Sequence, residues 1–268
     1  MAAALALAAA GLGPAHAQER ALRVGLVPYL TPRQMVSVFD PLRQHLQARL
    51  ARPVLMFTAA SLRALADNTR RGDYDVAFMP VHFMRVAAQD WGGRIVARTS
   101  APTTILLATQ AARELKLPDG LRGGRVVTLD PLAINTMVLM DWLAEQGLQP
   151  GRDLTVEYIT AANSVVLSLQ RPDVTAVAII EAAVAEMDPE ARRDVRVAAR
   201  LRTVHSPGYV ITAQLPAEER AAVSAALLSF TGQGGAATLS RSPLEPATLE
   251  DSAQFERYAQ QLRRLLAA

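Results

Sequence analysis

Leu22-Arg23-Val24-Gly25-Leu26-Val27, Val54-Leu55-Met56-Phe57 and Val76-Ala77-Phe78-Met79 are three short apolar runs, and what separates them decides the fold. The first alternates as a half-buried strand does and stops at Pro28-Tyr29. Met35, Phe39, Leu42, Leu46 and Leu50 follow at spacings of four, three, four and four, the stripe of an amphipathic helix. Pro41 inside that stripe leaves two placements open: a kink within the helix, or a first-turn position after Asp40. After the second run, Ser61 stands where an N-cap would open a helix through Leu62 and Leu65. Gly72-Asp73 then turns the chain into the third run, which Pro80 ends. Strand, helix, strand, helix, strand predicts a right-handed, mostly parallel α/β sheet.

The same rhythm restarts past residue 102. Thr104 to Ala108 reads as a strand, the glycines at 120, 123 and 124 as a loop, and Arg125 to Leu129 as a strand. A helix over Asn135–Gln146 stops at Gly147, and Leu154–Ile159 is the next strand. A helix opened by Asn163 or Ser164 follows, then a buried strand over Val174–Ile180 and one more in the 195–199 stretch. After Pro207-Gly208, Tyr209–Thr212 returns as a strand, and Pro216–Phe230 and Ser252–Leu266 read as helices. Two α/β lobes emerge, the second inserted into the first, with crossings near Ser100–Thr103 and Thr203–Pro207. The expected divisions are a first lobe over 18–101 and 206–268 and a second over 102–205. Two crossing segments make a hinge, and clefts between lobes are where ligands bind.

Ahead of the first strand, Met1–Gly13 is an apolar run without charge, followed by Pro14 and Ala15-His16-Ala17. Its length is short of the roughly 20 residues that span a bilayer, and the small residues match a leader cleavage site. The expectation is a signal peptide over 1–17, a mature chain from Gln18, and a periplasmic protein with no direct membrane insertion. Of 28 cations only Lys116 is lysine, and the arginines are interleaved with 25 acids, so no basic run marks a nucleic-acid partner. The chain has no cysteine, which excludes disulfides, thiolate metal sites and a cysteine nucleophile.

Chemistry is carried by helix starts. Ser61, the pair Asn135-Thr136 and the pair Asn163-Ser164 each sit on a strand-to-helix turn, where unpaired N–H groups and a partial positive charge suit an oxyanion. Each would also serve as an ordinary cap. His82, just past a strand end, is where a cleft would open. His16, His45, His82 and His205 are far apart, with no HExxH or calcium loop, so no metal is expected. The sequence carries no G-x-S-x-G elbow, P-loop or dinucleotide glycine fingerprint, and no nucleophile with an evident base. Neither an enzyme nor a cofactor is expected.

Val27-Pro28-Tyr29, Phe39-Asp40-Pro41-Leu42, Arg71-Gly72-Asp73-Tyr74-Asp75-Val76-Ala77, Leu129-Asp130-Pro131 and His205-Ser206-Pro207-Gly208, in that order, have a familiar spacing. The chain resembles the phosphate/phosphite/phosphonate-binding proteins of ABC importers, with the type II periplasmic binding fold. That resemblance implies two lobes joined by a two-segment hinge and a small oxyanion captured between them. It also implies an inner-membrane ABC permease as partner, or a sensor kinase where the fold serves signalling. It places Tyr29 and His82 at the ligand from one lobe. From the other come the turn after Asp130-Pro131, Asn163-Ser164 and Glu181, the last accepting from a protonated oxygen or pairing with an amine. The Ser-Thr-Ser-Gly run that many members carry after Asp-Pro is here Ala133-Ile134-Asn135-Thr136. A family His near 163 is Asn163, and an aromatic near 82 is His82.

Overall fold

The computed structural model describes residues 20–29, 32–185, 187–232 and 243–268, so the expected leader and the start at Gln18 lie outside it. β1 (Leu22–Leu26) buries Leu22, Val24 and Leu26. Gly25 has to be glycine, because a Cβ there would stand 2.3 Å from the Tyr74 ring. α1 (Pro32–Leu50) lays Met35, Phe39, Leu42 and Leu46 on the core. Pro41 lies inside this helix, which begins well upstream at Pro32. The first-turn alternative is thereby excluded, and Ser37 loses the N–H donor that position 41 would have supplied. β2 (Val54–Thr58), α2 (Leu62–Arg71) and β3 (Val76–Met79) follow. Gly72 closes α2 at φ 83°, the left-handed conformation that glycine adopts without strain.

Besides some short elements further on, the pattern reading passed over α3 (Val81–Asp90) and β4 (Arg94–Thr99). Val81, His82, Phe83, Met84, Val86 and Ala87 are all buried, so α3 has no one-sided stripe to betray it. Crossing over, the chain builds β5 (Thr103–Gln110), β6 (Arg125–Leu129), α4 (Ile134–Glu145), β7 (Thr155–Ile159) and α5 (Ala162–Leu167). β8 (Ala176–Ile180), α6 (Glu181–Ala185), α7 (Pro189–Arg193) and β9 (Val195–Val204) complete this part. β9 runs twice the length expected from 195–199. β10 (Gly208–Ile211), α8 (Ala217–Leu228), β11 (Leu244–Pro246) and α9 (Glu256–Ala267) return to the first part.

One sheet has the order β11-β4-β10-β3-β1-β2, the other β7-β6-β8-β5-β9. The first sheet with its helices is the first lobe here, the second sheet with its helices the second. The strands are not mostly parallel. β1 pairs in parallel with β2 and β3, but β10 is antiparallel to both β3 and β4, and β11 to β4. In the second sheet β6 is parallel to β7 and β8, while β5 is antiparallel to β8 and β9. Both sheets are mixed, and in the first the crossover from β3 through α3 to β4 skips one position. The returning β10 fills that gap in the opposite sense. Around β10 the core is aromatic: Phe39 packs edge-on against Phe78 at 5.4 Å, and Phe78 meets Tyr209 at 4.8 Å. Burying each such ring contributes about 1.5–3 kcal/mol.

The chain leaves the first sheet after Thr99, enters the second at Thr103, and returns between Val204 and Gly208. The two passages lie side by side. Thr103 pairs with Val204, the Thr99 N–H donates to Pro207 O at 3.2 Å, and the Thr103 and Ser206 hydroxyls bond at 3.0 Å.

Candidate ligand-binding cleft

A cavity of about 70 Å³ lies between the lobes. It is reached from the carboxyl ends of the parallel strands, where ligands of α/β sheets bind. β1 delivers Val27 and Tyr29, β3 delivers Pro80 and Val81, β6 leads to Ile134 and Asn135, β7 to Ala162 and Asn163, and β8 to Ile180 and Ala182. Met35, Val38 and Phe39 of α1 close one side, and Thr103, Val204, His205 and Pro207 of the crossings close another. No Lys, Arg, Asp or Glu side chain is among the described residues that line it.

Polar capacity comes from neutral groups. The N-caps of α3, α4 and α5 are Pro80, Ala133 and Ala161, none of which gives a side-chain hydrogen bond to its helix. The first helical bonds run from Met84 to Pro80, Met137 to Ala133 and Val165 to Ala161. In the first turn of α4, the N–H groups of Ile134, Asn135 and Thr136 therefore have no acceptor among the described residues. The Tyr29 hydroxyl is buried without a partner among the described residues. Burial, and then the nearby Asp130 carboxylate, push its pKa up, so it remains a protonated donor. Asn135 donates its amide to Ala178 O at 3.3 Å and keeps its carbonyl oxygen as an acceptor. His205 faces the Arg98 guanidinium through Nδ1 at 2.8 Å. A guanidinium only donates, so Nδ1 accepts, and burial together with the Arg98 charge lowers the His205 pKa.

Of the residues singled out from sequence, Tyr29, Asn135 and Asn163 line the cavity. Asn135 and Asn163 stand inside the first turns of their helices, not at the caps expected for them. Ser61 is elsewhere: its hydroxyl accepts from Ala64 N–H at 3.1 Å and caps α2. Thr136 turns its hydroxyl inward, to Leu129 O at 2.8 Å and the Thr128 hydroxyl at 3.1 Å. Ser164 is exposed and off the lining. Glu181 is drawn away by Arg200, with which it pairs at 2.7 Å, although its neighbours Ile180 and Ala182 face the cavity. His82 is fully buried, and its Nε2 bonds Leu132 O at 2.8 Å, behind the lining.

Thr103 and the apolar lining were not anticipated as site residues. Met35 and Phe39 belong to the stripe read as core, and they serve the core and the cavity wall together. Among the described residues no group of three or more His, Asp or Glu side chains could hold a metal ion, and no helix is long and apolar enough to cross a membrane.

Known proteins share this architecture. A binding protein component of an ABC phosphonate transporter from Pseudomonas aeruginosa superposes with a TM-score of 0.77 at 14% identity, over 92% of this chain and 88% of that one. PhnD1 from Prochlorococcus marinus, solved with methylphosphonate, gives 0.75 at 11% identity over 91% and 98%. A Xanthomonas citri protein bound to ATP gives 0.71 at 14% identity over 91% and 98%. At such identities the likeness is one of fold alone. No curated protein matches the sequence. A family model does match, over residues 24–252, described as the periplasmic substrate-binding protein of a phosphonate ABC transporter. With nearly the whole described chain inside that match, the protein belongs to the phosphonate-binding family of periplasmic substrate-binding proteins, a transporter component and not an enzyme family.

Proposed function

We propose that the protein closes its lobes over one small oxyanion of the phosphonate class and hands it to an ABC permease of the inner membrane. The observation that carries this reading is the meeting of an unpartnered, buried Tyr29 hydroxyl with an uncapped α4 N-terminus in a cavity without side-chain charge. Tyr29 donates to one ligand oxygen and the first-turn N–H groups of α4 to others. The Asn135 carbonyl oxygen accepts from a protonated ligand oxygen. The apolar wall takes the organic substituent. Its volume is about half the ~150 Å³ of an apolar cavity that holds benzene, which suits a methyl or ethyl group. An aminoalkyl substituent is disfavoured, because Glu181 is occupied by Arg200 and an unpaired buried ammonium is costly.

The lobes are residues 18–101 with 206–268, and 102–205, moving about the paired crossings. Residues 1–17 form the cleaved leader that takes the chain to the periplasm, where its family works. A transporter role, and not a sensing one, is what the family description supports. Thermal melting against phosphate, phosphite, methyl-, ethyl- and 2-aminoethylphosphonate, methanesulfonate and acetate tests the ligand class. A bound ligand at 100 times its Kd adds about 2.7 kcal/mol of stability. Methyl- or ethylphosphonate is expected to give the largest shift. A shift with acetate or methanesulfonate and none with any phosphorus oxyanion would falsify the reading.

A further inference from the structure

His82 is completely buried, lies behind the cavity lining, and makes its one hydrogen bond from one lobe to the other. It stands in the first turn of α3. Its Nε2 is 2.8 Å from the carbonyl oxygen of Leu132, in the turn between β6 and α4. A carbonyl only accepts, so the ring carries its proton on Nε2 and is the donor. Nδ1 then holds a lone pair, with no partner among the described residues.

What the imidazole grips is the turn that sets the direction of α4. Asp130 Oδ1 accepts from Leu132 N–H at 2.8 Å, and the Asp130 carbonyl accepts from Ala133 N–H at 2.8 Å. Ala133 caps α4, whose next two residues line the cavity. We infer that His82 is a positioning residue for ligand capture: it latches the two lobes by holding the Leu132 carbonyl, and so presents the first turn of α4 to a ligand that it never touches.

Away from the crossings, where Thr103 meets Ser206 and Arg98 meets His205, the polar contacts between the lobes are weaker. The Ala162 N–H reaches Tyr29 O at 3.4 Å. Arg257 pairs with Asp141 at 2.7 Å, but with 49% and 32% of the side chains exposed, and surface pairs contribute little. When the lobes part, His82 and the Leu132 carbonyl both regain water. When they meet, each loses it and has the other in return.

The latch needs a neutral ring. An imidazolium would bring a second N–H, at Nδ1, to a place without an acceptor. Phe83 stands edge-on at 4.9 Å. Of the charged groups on the elements packed around α3, Arg85 pairs with Glu256, Asp90 with Arg263, Arg98 with Glu245 and Arg257 with Asp141, while Asp130 accepts from the Leu132 N–H and Asp251 from Thr248. Burial lowers the ring pKa from 6.5 to about 4. Closure therefore excludes a proton that the open form binds, and the closed population falls as pH drops from about 6.5 toward 4.

The inference rests on capture by lobe closure, not on which ligand is captured, so its test is run without ligand. The chain has no cysteine, so spin labels at Val36→Cys and Leu167→Cys, which are 70% and 50% exposed in the wild type, report one distance between the lobes. His82→Phe keeps an apolar ring without the donor, and His82→Gln keeps an N–H. At pH 7.5 the ratio of short to long distances is expected to fall about tenfold in His82→Phe, the loss of one hydrogen bond, and less in His82→Gln. Lowering the pH to 5 is expected to open the wild type and leave both variants unmoved. Identical distributions in the three proteins, whether the lobes are found together or apart, overturn the inference. So does the same pH response in all three. Should His82→Phe fail to fold, the pH comparison of wild type with His82→Gln still decides.

Discussion

α2 and α4 each follow a parallel strand of their own lobe, and they begin in opposite ways. Ser61 turns its hydroxyl onto the Ala64 N–H and satisfies α2 from within. Ala133 has no side chain to offer, and the first turn of α4 stays open toward the cavity. A helix with a good cap has used its donors; a helix with a poor cap keeps them for something else. Serine, threonine and asparagine at helix starts mark stable helices. Alanine and proline at Ala133, Ala161 and Pro80 leave their helix ends without a side-chain cap at the cavity.

The largest effect is expected at the donor that faces the same cavity. Tyr29→Phe removes the unpartnered hydroxyl. Isothermal titration with methylphosphonate is expected to show about 10- to 100-fold weaker binding, the ~1.5–3 kcal/mol of a hydrogen bond to a charged oxygen. The unliganded melting temperature should hold or rise, since a buried group without a partner is lost. Next comes conversion of one helix end into the other. Ala133→Ser gives α4 a cap like that of α2, competing with the ligand for the same N–H groups. Affinity is expected to fall several-fold while the unliganded protein gains up to about 1 kcal/mol; equal affinity would remove the α4 N-terminus from the site. The reverse change, Ser61→Ala, is expected to cost about 1 kcal/mol in urea unfolding and to leave the ligand Kd unchanged. Smallest of all is Glu181→Gln. With Arg200 already holding this carboxylate at the surface, stability should move by no more than about 0.5 kcal/mol and methylphosphonate affinity not at all.

The same contrast explains what could be read from the sequence. Periodicity gave both lobes, because α1, α2 and the buried strands each have a one-sided or continuous apolar pattern. It missed α3, buried on every side, and the gap that β10 fills, because strand order is set by pairings between residues more than a hundred positions apart, such as Phe78 with Tyr209. Of the residues singled out, three lie at the cavity: Tyr29, Asn135 and Asn163 line it because they follow strand ends. Ser61, Thr136, Ser164 and Glu181 lie off its lining, because a polar side chain at a helix start has partners of its own to choose from: an N–H, a carbonyl, solvent, or an arginine. His82 was expected at the ligand and stands one layer behind it. No local signal separates those two positions, since the Leu132 carbonyl it meets lies fifty residues on.

The insertion of β10 between β3 and β4 also dictates an order of assembly. Strands β5 to β9 run uninterrupted from Thr103 to Val204, so the second sheet can form from a continuous stretch of nascent chain. The first sheet cannot: its two outer portions share no strand pairing until Gly208–Ile211 arrive to join them. Contacts of such long sequence separation form slowly. The first sheet is therefore complete only once the last quarter of the chain has been made.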